Sequence, residues 1–161
     1  MIVAVNGMAA GAGFSLTLAG DLTVAAESAR FTMAYTKVGL SPDGGSSYFL
    51  PRLVGLRKAQ ELMLTNRMLS ADEALDWGLV NRVVPDDELL ATANTLAATI
   101  MQGAPRSNAV AKQLLLQTFG NGPETQMELE GREIAACAGS ASGQEGIAAF
   151  TEKRKPSFPS V

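Results

Sequence analysis

The chain has 161 residues, 47% of them hydrophobic, which is enough to build one domain with a substantial core. Its formal net charge of −3 gives no support for a partner that is nucleic acid or an anionic membrane surface. The absence of histidine excludes histidine-based triads, histidine metal sites and imidazole general bases. Any proton transfer must therefore fall to Asp, Glu, Tyr, Lys or water, and we expect no metal site.

The single cysteine, Cys137, has no partner within the chain for a disulfide. We therefore expect a reducing, cytoplasmic environment. The first residues lack the basic and apolar regions of a secretory signal, and no apolar run is long enough to span a bilayer. These patterns favour a cytoplasmic protein without a membrane partner.

Strands and helices alternate at the start of the chain. The apolar, β-branched run Ile2–Val5 predicts a buried strand, and Leu22–Ala26 predicts a second one. A small-residue loop and a helical pattern that ends near Gly20 lie between them. This order implies parallel strands joined by a right-handed crossover. After a turn at 27–30, residues 31–34 predict a short third strand.

The loop at 6–13 is built almost entirely from small residues, so its backbone faces whatever lies beside it. Backbone N–H groups at the start of a helix have no partner inside the helix and lie at the positive end of its dipole. Such a place suits an anion or a developing oxyanion. Small residues also allow a helix to pack closely on a strand, and the spacing alone leaves both interpretations open.

A second loop, 41–47, combines a proline, an aspartate and two glycines, which predicts a turn before a helix. Ser46 or Ser47 is the predicted cap of that helix. Asp43 then lies at the mouth of a helix N-terminus. A carboxylate in this position is either a turn or capping residue, or a functional one.

The rest of the chain changes from mixed α/β to helical near Pro85. Before that point, Leu56–Thr65 predicts an amphipathic helix, and Ser70 with Glu73 forms the pattern of a capping box. A short strand is predicted at 79–84. Beyond it, helices are predicted at 86–101, from 104 to about 119, at 124–138 and at 143–153.

Taken together, these segments resemble the crotonase, or enoyl-CoA hydratase/isomerase, superfamily over essentially the whole chain. The segments that carry the resemblance are 4–7, 10–16, Asp21, 39–47, 50–55, 69–80 and 145–156. The resemblance implies an α/β fold in which 1–85 form the C-terminal part of a ββα spiral core and 86–161 form a helical trimerisation region. It also implies homotrimers or hexamers, acyl-CoA substrates of fatty acid metabolism, and no cofactor, since coenzyme A is part of the substrate.

The same resemblance assigns catalytic groups to the two loops. Ala12, with Gly13 and the substrate-binding Gly11 beside it, falls at an oxyanion donor that polarises the thioester carbonyl. Asp43 falls where isomerases that resemble this chain place an acid/base aspartate. Ser15 and Tyr35 occupy the positions of the two hydratase glutamates, so the resemblance favours double-bond isomerisation over hydration.

Three further residues receive roles from the resemblance. Phe150 and Lys153 match positions that contact the nucleotide end of coenzyme A, although a solvated basic tail would give the same residues. Tyr35 is expected either to hydrogen-bond in the acyl pocket or to pack. Ser15 is expected to be structural.

Members of this family are longer at their N-termini, where they supply the first oxyanion donor. We therefore expect the chain to be an N-terminally truncated member. Three hypotheses follow from the sequence: an isomerase that needs the N-terminal part, a catalytically inactive fragment or structural partner, and an enoyl-CoA hydratase or a hydrolase that uses unusual groups.

Overall fold

The computed structural model describes residues 1–158. It divides the chain into two compact units, with the division between Ala97 and Ala98. The first unit contains six strands and four helices, together with most of a fifth helix that continues past the division. They are β1 (Ile2–Val5), β2 (Met8–Ala10), α1 (Ala12–Leu18), β3 (Leu22–Ala26), β4 (Arg30–Thr32), α2 (Ser46–Val54), α3 (Leu56–Thr65), β5 (Leu69–Ser70), α4 (Ala71–Asp76), β6 (Arg82–Val84) and α5 (Leu89–Met101).

A parallel sheet with the strand order β1–β3–β6 lies at the start of the first unit. Ile2 pairs with Leu22 and Val5 with Ala25, so the predicted parallel pairing of these two runs is confirmed. Val24, Ala25 and Ala26 are almost completely buried, as expected for a strand with a neighbour on each side. Because β1 belongs to this sheet, the sheet sets where the small-residue loop that follows β1 begins.

A second small sheet, β2–β4–β5, was not predicted in full. Residues 6–13 were expected to form a loop, but Met8–Ala10 pair in parallel with Arg30–Thr32. The two-residue strand β5 pairs antiparallel with the same neighbour. Strands this short form because a partner strand is present, so their own sequences carry little signal.

The core of the first unit surrounds two aromatic rings. Phe14 on α1 and Phe31 on β4 are fully buried, with ring centroids 5.4 Å apart. Leu50, Leu62 and Leu69 are also fully buried, and they come from α2, α3 and β5. The core therefore joins α1 and β4 to the helices that follow the second loop.

Local capping was predicted correctly at one helix and wrongly at another. At α4, the Ser70 hydroxyl accepts from the Glu73 N–H at 3.1 Å, and the Glu73 carboxylate accepts from the Ser70 N–H at 2.9 Å, which confirms the capping box. At α2, neither predicted serine is the cap. Gly45, with a φ of +78°, holds that position without a side-chain hydrogen bond. Ser46 instead donates to the backbone carbonyl of Asp43 at 2.9 Å.

The second unit is helical, as predicted, and contains the end of α5 together with α6 (Pro105–Gln117), α7 (Pro123–Ala138) and α8 (Ala141–Thr151). Among its described residues, up to 158, only Ala104 and Ala149 are buried. Its large apolar side chains are mostly exposed. Within residues 1–158, no helix has the length and apolarity needed to cross a membrane.

Candidate active site

The first half of the candidate site is the turn that starts α1. Gly11 precedes the helix with a φ of +52°, a conformation that favours glycine, and its N–H donates to the Thr32 carbonyl at 3.1 Å. Ala12 and Gly13, the first two helical residues, are exposed. Since Ala12 is the first residue of the helix, its N–H has no carbonyl acceptor within the helix. An exposed backbone donor thus lies beside β4.

The second half is the loop that carries Asp43. The Asp43 carbonyl accepts from both the N–H and the hydroxyl of Ser46, which fixes the backbone of the loop. Gly44 has a φ of +59°, and a Cβ added to it would lie 2.8 Å from Cβ of Ser15. The loop therefore approaches α1 as closely as a glycine allows.

A chain of side-chain hydrogen bonds joins the two halves. The Tyr35 hydroxyl lies 2.5 Å from Oδ1 of Asp43 and donates to it. The Ser15 hydroxyl lies 2.9 Å from the Tyr35 hydroxyl and 3.3 Å from the Gly11 carbonyl. Ser15 is fully buried and Tyr35 nearly so, whereas Asp43 is exposed. This chain of hydrogen bonds thus runs from the α1 turn, through the interior, to the Asp43 carboxylate at the surface.

The electrostatics keep Tyr35 in its neutral form. Burial raises the pKa of the Tyr35 phenol, and the hydrogen bond to Asp43 raises it further, while the hydrogen bond from Ser15 acts in the opposite direction. Removing water disfavours the charged phenolate, and so does a carboxylate that accepts the phenol hydrogen. Tyr35 therefore carries its proton throughout the neutral pH range.

The turn that carries Tyr35 is tied to the end of α3. This 3₁₀ turn, Tyr35–Val38, is bonded through the Thr36 hydroxyl, which accepts from the Asn66 side chain and donates to the Met63 carbonyl. Asn66 ends α3 with a φ of +51° and is 6% exposed. Its Oδ1 is buried without a hydrogen-bond partner among the described residues. The turn that carries Tyr35 is thus hydrogen-bonded to the end of α3.

The structure brings together most of the predicted site residues. Gly11, Ala12 and Gly13 form one turn, and the Ser15 hydroxyl links that turn to Tyr35 and Asp43. The sequence predicts only a structural role for Ser15. The signal that was available is that Ser15 and Tyr35 match the two glutamate positions of the hydratases, which implies that they share a site.

Phe150 and Lys153, the other two predicted binding residues, belong to the second unit. The Phe150 side chain at the end of α8 is 87% exposed, and Lys153 follows the helix with a φ of +55°. The guanidinium of Arg154 binds both carboxylate oxygens of Glu145, at 2.6 and 2.9 Å. This ion pair links Arg154, which follows α8, back to the helix close to Phe150 and Lys153.

Groups of three or more His, Cys, Asp or Glu side chains that could hold a metal ion are absent from residues 1–158.

The sequence matches known proteins along nearly its whole length. Residues 1–160 match the sequence model of a family described as enoyl-CoA hydratase/isomerase. A 1,2-epoxyphenylacetyl-CoA isomerase of Escherichia coli K12 is 43% identical over 98% of this chain and 60% of the relative. A probable enoyl-CoA hydratase of Rhodobacter capsulatus is 39% identical over 98% and 62%. A carnitinyl-CoA dehydratase of Salmonella typhi is 37% identical over 97% and 61%.

Solved structures give the same picture. An enoyl-CoA hydratase from Polaromonas sp. JS666 superposes with a TM-score of 0.93 and 41% identity, over 98% of this chain and 62% of that one. An enoyl-CoA hydratase subunit I from Geobacillus kaustophilus gives a TM-score of 0.94 and 35% identity, over 99% and 62%. The chain therefore spans about 60% of the length of the relatives it matches.

Proposed function

The chain belongs to the enoyl-CoA hydratase/isomerase family, and from that premise we propose that it shifts a double bond in an acyl-CoA thioester through an enolate, with Asp43 as the acid/base group. The observation that carries this proposal is the hydrogen-bonded chain from Ser15 through Tyr35 to Asp43. It places one exposed carboxylate close to the turn that presents the backbone donor of Ala12. A carboxylate and a backbone donor placed in this way are the two groups that the proposed mechanism needs.

The reaction needs one base and a stabilised oxyanion. In a 3-enoyl-CoA, Asp43 takes a proton from the α carbon, and the electron pair moves onto the thioester oxygen. The Ala12 N–H, flanked by Gly11 and Gly13, donates to that oxygen, and one such donor lowers the barrier by about 3 kcal/mol. Asp43 then returns the proton to the γ carbon, which leaves the double bond conjugated with the thioester and no net change in protons.

Hydration is the second candidate function, and the side chains favour it less. Adding water needs a group that activates the water and another that protonates the α carbon. The two positions that carry glutamates in hydratases hold Ser15 and Tyr35, and Tyr35 is a neutral phenol. The relatives cover both reactions by name, since one is an isomerase, one a probable hydratase and one a dehydratase.

The third candidate is a catalytically inactive chain that serves as a structural partner. The chain spans about 60% of the length of the relatives it matches.

The second unit supports two further parts of the proposal. We place the nucleotide end of coenzyme A at Phe150 and Lys153, because an exposed ring and a cation suit a base and a phosphate. We also propose a homotrimer or hexamer. The support is the set of exposed apolar side chains on the helices of this unit, which include Leu115, Met127, Ile134 and Ile147.

The test of function compares two substrates and two aspartate variants. Wild-type protein is expected to convert trans-3-hexenoyl-CoA to the conjugated isomer faster than it hydrates crotonyl-CoA, as followed by ultraviolet absorbance. Asp43→Asn should lower the isomerisation rate by about 10²- to 10⁴-fold, the range for loss of a general acid/base. Asp76→Asn is the matched control, because Asp76 is exposed at the end of α4. An unchanged rate in Asp43→Asn would remove the proposed role of Asp43, and equal rates on both substrates would remove the isomerase assignment.

A further inference from the structure

The direction of the hydrogen bonds in the candidate site can be worked out from the number of hydrogens. An ionised Asp43 carboxylate has none to give, so at 2.5 Å the Tyr35 hydroxyl must be the donor. That uses the only hydrogen of the phenol. The Ser15 hydroxyl, 2.9 Å away, must then donate to the phenol oxygen. Its other acceptor, the Gly11 carbonyl, is farther away at 3.3 Å. The polarity therefore runs from Ser15 to Tyr35 to Asp43.

Ser15 and Tyr35, the two inner residues of this hydrogen-bond chain, are buried, whereas Asp43, the outer residue, is exposed. Ser15 is 0% and Tyr35 is 7% exposed. A Cβ added to Gly11 would lie 3.9 Å from Cζ of Tyr35, so the ring packs against the α1 turn. Asp43 is exposed, and its Oδ2 receives no hydrogen bond from residues 1–158. One carboxylate oxygen is thus held from inside by Tyr35, while the other has no hydrogen-bond donor among the described residues.

We propose that Tyr35 is a positioning residue whose hydroxyl fixes Oδ1 of Asp43, so that Oδ2 is the oxygen that takes up and returns the substrate proton, while Ser15 fixes the hydroxyl of Tyr35. This inference rests on the proposed acid/base role of Asp43. It replaces the expectation that Tyr35 hydrogen-bonds the acyl group, because the single phenol hydrogen is already donated to Asp43. Orientation of this kind matters, since proton transfer requires the base within hydrogen-bond reach of the carbon-bound proton.

The first test separates positioning from substrate binding by kinetics. Tyr35→Phe keeps the buried ring and removes only the hydroxyl. We expect kcat to fall about 10- to 100-fold, the loss that corresponds to one hydrogen bond to a charged group, with KM nearly unchanged. A tyrosine that binds the acyl group would instead raise KM. Tyr48→Phe is the matched control, because it removes a hydroxyl from an exposed tyrosine on α2 and should leave both constants unchanged.

The second test measures the hydrogen bonds without any turnover. Tyr35 and Tyr48 are the two tyrosines of the chain, so in a Tyr48→Phe background the phenolate absorbance reports Tyr35 alone. Asp43→Asn should lower the midpoint of its alkaline titration, because a negatively charged acceptor is lost. Ser15→Ala should raise that midpoint, because a donor to the phenolate is lost. Shifts of opposite sign support the polarity; no shift, or shifts of the same sign, would overturn the proposal.

The two tests also separate this inference from the proposed function. If Asp43→Asn loses activity and Tyr35→Phe keeps full kcat, the positioning role is wrong while the acid/base role stands. If Asp43→Asn keeps its activity, the acid/base role of Asp43 is wrong, and the positioning role of Tyr35 that rests on it is wrong too. The titration decides the arrangement of Ser15, Tyr35 and Asp43 in either case.

Discussion

The two compact units use apolar side chains in opposite ways. In the first unit the largest ones are inside, with Phe14, Phe31 and Leu62 at 0% exposure. In the second unit, up to residue 158, the buried residues are two alanines, while Ile134 and Phe150 are 72% and 87% exposed. The first unit therefore has the packed scaffold that a site with fixed hydrogen bonds needs. The second has surfaces that suit another polypeptide or a ligand.

The largest expected effect contrasts a buried ring with an exposed one. Phe31→Ala removes a fully buried side chain that packs on Phe14, and such truncations cost about 3–5 kcal/mol of unfolding free energy. Phe150→Ala, at the exposed end of α8, should change the free energy by about 0.5 kcal/mol or less. Denaturant unfolding of both variants measures the difference. A large loss in Phe150→Ala that grows with protein concentration would mean that this ring is covered by another copy.

The next effect concerns the association of copies through the second unit. Ile134 lines a shallow groove between α6 and α7 with Val110, Leu114 and Cys137. If that face is buried between copies, burying one such side chain contributes about 1.5–3 kcal/mol. Ile134→Ser should then weaken assembly by at least tenfold in sedimentation velocity. Lys112→Ser, which changes an exposed residue of α6, is the control. A wild-type protein that sediments as a monomer at every concentration would contradict the proposed trimer.

Replacing one glycine by alanine in each unit should change the free energy of unfolding in opposite directions. Gly44→Ala forces a non-glycine residue to a φ of +59° and against Cβ of Ser15, and should cost about 1–3 kcal/mol. Gly131→Ala lies in the middle of α7 with no heavy atom within 4 Å of the added Cβ, and should gain about 0.5–1 kcal/mol. Thermal or denaturant unfolding checks both signs. If the two variants changed the free energy of unfolding equally, the loop at Gly44 would have relaxed away from α1.

The parts of the fold that sequence could predict are those set by local pattern. The bounds of Ile2–Val5, Leu22–Ala26 and Leu56–Thr65 agree with the structure, because each has a clear period and clear ends. The capping box at Ser70 was predictable because its hydrogen bonds join residues three apart. β2 and the cap of α2 were not, because one depends on pairing with β4 and the other on the left-handed backbone of Gly45.

The residues of the candidate site could be predicted from the sequence, but the hydrogen bonds that join them could not. Family resemblance assigned Ala12 and Asp43 from their motifs. No local rule brings Ser15 within 2.9 Å of a tyrosine twenty positions later, since that contact depends on α1 packing beside the end of β4. The hydroxyl chain, and with it the role of Tyr35, follows only from the tertiary structure.

The smallest expected effect is a response to pH at the end of the second unit. Arg154, followed by the Ser157 N–H, lowers the pKa of Glu145 to about 2. Because the pKa is lower in the folded state, this contact stabilises the end of α8 above the ordinary value near 4.5 and is lost as the pH falls towards 2.

The measurement follows the Ser157 amide and the Arg154 Nη hydrogens by NMR while the pH is lowered, because these groups donate to the Glu145 carboxylate. Glu145→Gln should show the released positions at every pH, whereas Glu128→Gln, whose partner Arg132 is 3.8 Å away on the exposed face of α7, should titrate like wild type. Tyr35 should not respond in this range, because its raised pKa makes its contribution to stability complete below the ordinary value of 10.0 and lost only as the pH rises above it. A change at Ser157 that instead follows global unfolding of the first unit would show that the two units do not respond separately to acid.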